Sequence, residues 1–150
     1  MIPALAVITG TVVGLMAGVE FAVAFVFNPI MTALPIGPSI DARAHGGRML
    51  GRAMPFWYFG SLIFAVLLAV FTWGTAAAAS ALVGAALLAV SVIMSITLLV
   101  PINNRSKTWT AQEHPADWRE QFRRWDGLHY ARVAVVVAGF VLVLVAGVVL

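Results

Sequence analysis

Cysteine is absent from the 150 residues, which removes disulfides, thiolate metal sites and cysteine nucleophiles together. Charge is scarce as well. Only 10% of residues are Asp, Glu, Lys or Arg, against about 25% in a soluble domain, so lipid must solvate most of the surface. No cationic patch interleaved with aromatics is present, which argues against nucleic acid as a partner despite a net charge of +3. No Ser, His and Asp fall at a spacing that would assemble a hydrolase triad in a membrane topology. The first apolar run lacks a positive leading region and a small-residue cleavage site and carries Glu20, so it reads as a membrane helix and not as a cleaved signal.

What is present is apolar: 62% of the chain is hydrophobic. The runs divide into four stretches, each near the ~20 residues a helix needs to span hydrocarbon. The expectation is therefore all-α: one domain over 1–150, a polytopic four-transmembrane-helix bundle with spans at about 2–28, 55–73, 77–100 and 128–150. Pro29, Pro35 and Pro38 are read as ending the first span, and Pro101 as ending the third. The connection carrying Asp41, Arg43, His45, Arg48 and Arg52 is expected to be flexible at Gly46-Gly47. Phe56-Trp57-Tyr58 is expected at the headgroup level. Asp117 caps a short amphipathic interfacial helix before helix four, with Trp118, Phe122 and Trp125 on one face; Trp109, Trp118 and Trp125 are read as interfacial anchors. Gly10, Gly14 and Gly18 form a small-residue stripe suited to close helix packing, inside the bundle or in a homo-oligomer.

The distribution of positive charge orients these spans. All nine Lys and Arg lie in the two long connections or just inside helix four, at Arg132. The positive-inside rule then puts both connections in the cytoplasm of a multi-pass cell-membrane protein, with both termini outside.

That topology brings polar groups together. Glu20 lies about 12 Å below the cytoplasmic end of helix one, at ~1.5 Å per residue, on the face shared with Ala24, Phe27 and Asn28. Helix three delivers Ser91, Ser95, Asn103 and Asn104 to the same half, and helix four starts there with Trp125, His129 and Arg132 on one face. Ionisable groups at membrane depth are expensive and mark functional sites. One reading pairs Glu20 with Arg132, adds His129 and an asparagine, and encloses a polar pocket open to the cytoplasm for a lipophilic small molecule. The other is a structural lock, with Glu20 neutral, Arg132 snorkelling to headgroups and His129 bound to a carbonyl. In that case the chain is a non-enzymatic binder or a subunit of a larger complex. A metal on Glu20, His129 and Asn103 is the weaker alternative, since two good ligands and one amide make a thin shell.

Val100-Pro101-Ile102-Asn103-Asn104-Arg105, Trp118-Arg119, Arg123-Arg124-Trp125-Asp126, His129 and Arg132 resemble the signature of the small four-helix membrane family that includes fungal anthrone oxygenases. Gly18-Val19-Glu20-Phe21, Asn28-Pro29, Leu34-Pro35 and Met54-Pro55-Phe56-Trp57-Tyr58 resemble a bacterial branch of it. The resemblance implies an oxidoreductase that oxidises a polycyclic phenolic or other lipophilic substrate with dioxygen and uses no metal or organic cofactor. It makes His129 the general base, tuned by Asp126 or Glu20, with Asn103 and Arg132 stabilising a developing negative oxygen. The candidate catalytic residues are thus His129, Glu20 and Arg132, and the candidate substrate-binding residues Asn103, Asn28, Trp125 and Asp126.

Overall fold

The computed structural model describes residues 1–150 as four long helices joined by short connections. These are α1 (Ile2–Ala33), α2 (Ile36–Phe71), α3 (Ala78–Ser106) and α4 (Trp118–Val148), each long and apolar enough to cross a membrane. They pack in a ring: α1 lies against α2 and α4, and α3 against the same two. Outward positions such as Leu15, Ile63, Ile93 and Val141 are exposed and apolar, the surface a bilayer solvates. Inside, Val13, Met16, Leu68, Leu88, Val136 and Val143 are fully buried.

Helix contacts are set by small residues. A Cβ on Gly84 would stand 3.2 Å from the Gly139 carbonyl oxygen, and one on Gly139 3.3 Å from that of Gly84, so the missing side chains let α3 and α4 approach backbone to backbone. The Gly10 and Gly14 part of the stripe is occupied within the bundle, by Leu144 and Phe140 of α4, while nothing lies within 4 Å of a Cβ on Gly18. The α2–α3 turn uses Gly74 at φ +82, a left-handed conformation that favours glycine.

Every span runs further than its apolar composition predicts. Helix α1 continues through Pro29 to Ala33 because a π-helical turn, Val23–Phe27, precedes the proline; the wider turn rearranges the hydrogen bonds into which the ring would otherwise intrude. The break comes at Leu34, extended at ψ 154 ahead of Pro35. Helix α3 repeats the device, with a π turn at Ser95–Leu99 and continuation past Pro101 to Ser106. The segment with Asp41 to Arg52 is not a flexible connection but the first turns of α2. Gly47 is there for closeness and not for bending: a Cβ would meet Asn103 Oδ1 at 2.7 Å. The amphipathic segment from Trp118 is likewise the start of α4 and not a separate helix.

Two aromatic expectations are corrected by these extensions. Only Phe56, 82% exposed, faces outward; Tyr58 is buried, and Trp57 Nε1 donates to the Val12 carbonyl at 2.9 Å, tying α2 to α1. Trp118 is buried with Ile40 and Phe122, and Trp109 packs on them, so these tryptophans cement the charged end of the bundle instead of anchoring in headgroups.

Candidate functional site

Glu20 projects from α1 one turn before its π-helical stretch, and α4 presents His129 and Arg132, three residues apart on one face. Arg132 Nη2 donates to Glu20 Oε2 at 2.6 Å and to His129 Nδ1 at 2.9 Å, while Nη1 donates to Ser95 Oγ at 2.8 Å. Exposures of 4% for Glu20, 1% for His129 and 8% for Arg132 place all three inside the protein. A carboxylate and a guanidinium cancel in charge, which is the condition for burying either.

The second histidine nitrogen fixes the tautomer. Nε2 lies 3.2 Å from the Glu20 backbone carbonyl, which can only accept, so Nε2 carries the proton and Nδ1 offers the lone pair that Arg132 uses. Both nitrogens are thereby engaged. Trp125, one turn earlier, stacks on the imidazole with centroids 4.8 Å apart and planes 17° apart. Tyr58 places its ring 5.3 Å from the Arg132 guanidinium, and its hydroxyl is buried without a partner. Arg132 and His129 both approach Glu20 Oε2, and neither engages Oε1.

Two chambers adjoin one another here, and the smaller contains this cluster. The smaller, about 230 Å³, is lined by Glu20, Tyr58, Ser95, Trp125, His129 and Arg132, with Asn104 and Lys107 toward one end. The larger, about 500 Å³, is mostly apolar, with Asn28, Arg43, Asn103 and Trp125 among its walls. Val19, Val23, Leu50 and Trp125 line both.

The expected catalytic trio is therefore brought together, and Trp125 joins it. Asn28 and Asn103 are not with the trio; they line the larger chamber, and Asn104 takes the place expected of Asn103. The three-ligand set of Glu20, His129 and Asn103 is accordingly not assembled. Nor does Asp126 face His129. Its carboxylate grips Arg43 at 2.8 and 2.9 Å, a two-pronged ion pair that joins α2 to α4, and Arg43 Nη2 also donates to Thr32 Oγ1 at 2.9 Å.

Tyr58 and Arg43 were missed from sequence. The spacing of the buried residues Ser39, Ile40, Arg43 and Ala44 is helical and would have exposed Arg43 as inward-facing. Tyr58 gave no such signal beside Phe56 and Trp57.

A family model described as anthrone oxygenase matches residues 54–142, more than half of the chain. The chain belongs to the anthrone oxygenase family. No curated protein and no solved structure matches it. The anthrone oxygenase match takes in Tyr58, Ser95, Asn103, Trp125, Asp126, His129 and Arg132. Glu20, Asn28 and Arg43 lie before it. The family's matched segment thus supplies the guanidinium and imidazole, and the preceding segment supplies the carboxylate that neutralises the guanidinium.

Proposed function

We propose that the protein is a membrane-embedded oxygenase acting with dioxygen on a lipophilic phenolic or aromatic ketone, with Glu20 as the proton acceptor. The observation that carries this reading is the Glu20–Arg132 pair at 2.6 Å, buried in a chamber, with the second carboxylate oxygen not engaged by Arg132. Buried donors and acceptors already aimed at a cavity stabilise developing charge without reorganisation.

The pair supports a charge-conserving first step. Glu20 Oε1 takes a proton from an acidic C–H or O–H of the substrate; the negative charge passes from the carboxylate to the substrate oxygen, still beside Arg132. The electron-rich anion reduces dioxygen by one electron, and recombination forms a C–O bond. Loss of water from the resulting hydroperoxide leaves a ketone, so a CH₂ group and O₂ become C=O and H₂O. Apolar dioxygen reaches the chamber from the bilayer. His129, with both nitrogens engaged, orients Arg132 and the Glu20 backbone in place of acting as the base. Asn28, Asn103 and Trp125 keep a substrate-binding role at the larger chamber. Asp126 acts there through Arg43.

No metal or organic cofactor enters this scheme. The clustering of Lys and Arg supports a cell-membrane orientation with the charged ends of α2 and α4 in the cytoplasm and both termini outside. The test is oxygen uptake by the purified protein in nanodiscs with anthrone as substrate under ¹⁸O₂. One labelled oxygen per quinone formed, at a rate above the protein-free reaction, is the supporting result; a rate equal to that background sinks the proposal.

A further inference from the structure

The smaller chamber contains residues that differ sharply in exposure. Glu20 and His129 are 4% and 1% exposed, while Phe59, Ile96 and Val100, which line the same space, are 50%, 55% and 41% exposed. The chamber therefore extends from the buried carboxylate to residues that also reach the outer surface. Phe59 belongs to α2 and Ile96 and Val100 to α3, so these residues mark the seam between those helices. Both are irregular there: Pro55, also on the wall, sits inside α2, and Ser95–Leu99 of α3 is the π turn. The rim is apolar on the bilayer side and polar at the charged end, where Lys107 Nζ donates to Asn104 Oδ1 at 3.0 Å.

Charge around this passage does not cancel. Glu20 and Arg132 neutralise each other, and the neutral tautomer of His129 adds nothing. Lys107 is the remaining charged group on the wall and has no carboxylate within salt-bridge distance. A lone ammonium at the mouth of an apolar slot suits an amphiphile with one negative charge.

We infer that the gap between α2 and α3, rimmed by Phe59, Ile96 and Val100, is a lateral portal through which a lipophilic aromatic monoanion, a phenolate or carboxylate, enters from the bilayer with its anion on Lys107. This rests on the oxygenase reading only in taking the Glu20 chamber as the destination. It adds a bilayer mouth to the cytoplasmic one expected from sequence and makes Lys107 a specificity-determining residue.

Equilibrium binding and association rates test it without turnover, in phosphatidylcholine nanodiscs, with fluorene-9-carboxylate and its neutral methyl ester as the matched probes. The carboxylate is expected to bind about tenfold more tightly than the ester, the scale of one charge-assisted hydrogen bond. Lys107→Gln should abolish that preference and leave ester binding unchanged. Ile96→Trp should slow association of both probes about tenfold or more, whereas Ile93→Trp, at a 60% exposed position of the same helix that does not line the chamber, should slow neither. Equal binding of the two probes to the native protein overturns the inference. So does a preference that survives Lys107→Gln, equal slowing by both tryptophans, or loss of carboxylate binding when phosphatidylglycerol replaces phosphatidylcholine, which would make the site one for a lipid headgroup. A protein that binds through the portal yet consumes no oxygen with anthrone would sink the oxygenase reading alone.

Discussion

Arg132 Nη2 lies 2.6 Å from Glu20 Oε2 across 112 positions of sequence, and this contact joins the first helix to the last inside the apolar interior. Removing one partner of a buried pair leaves the other charge uncompensated and costs about 3–5 kcal/mol, whereas removing both is often neutral. Arg132→Met alone should therefore lower the unfolding midpoint in detergent far more than Glu20→Leu and Arg132→Met combined. Equal loss in the single and double variants would show that the pair does not form.

His129 has a different signature. As an orienting group it should be replaceable in part by a side chain that both donates and accepts. His129→Ala is expected to lower turnover about 10²-fold by misplacing Arg132, and His129→Gln to recover a clear fraction of that loss. Steady-state rates with anthrone check it: equal loss in both variants would return His129 to the role of general base.

The helix contacts offer a test of packing. Gly84→Val and Gly139→Val push side chains into facing backbone and should destabilise the bundle strongly, since backbone cannot swing aside. Gly18→Val meets open space and should change the midpoint little. Thermal unfolding monitored by circular dichroism decides between this pattern and equal sensitivity at all three glycines, which would instead place a partner on Gly18.

Because the chain has no cysteine, orientation can be read with single introduced thiols. Thr75→Cys in the exposed α2–α3 turn should react with a membrane-impermeant maleimide added to intact cells. Thr108→Cys should react only after the membrane is opened. The reverse pattern would invert the topology.

Composition alone made the four helices legible, since long apolar runs separated by charge have no other stable form in a bilayer. The meeting of Glu20, His129 and Arg132 was legible too, because loop charge fixed which helix ends lie together. Helix limits were not: in α1 and α3 a π turn hid the continuation of the helix past a proline, and in α2 and α4 charged residues read as connections form the first turns. The π turns also explain the exchanged asparagines. One extra residue in a turn rotates everything beyond it by about 100°, so the Ser95–Leu99 turn sends Asn103 to the larger chamber and brings Asn104 to the smaller. The Val23–Phe27 turn likewise separates Asn28 from the Glu20 face. Arg43 was hidden because Gly46-Gly47 reads as a hinge until Asn103 is seen against it.

Oxygen uptake by Glu20→Gln, measured in nanodiscs with anthrone on protein whose unfolding transition shows it folded, tests the proposed chemistry most directly. The amide keeps the shape but cannot accept the substrate proton, so turnover should fall by at least about 10²-fold, below that of His129→Gln. A folded Glu20→Gln protein that turns over anthrone at the native rate would contradict the assignment of Glu20 as the base.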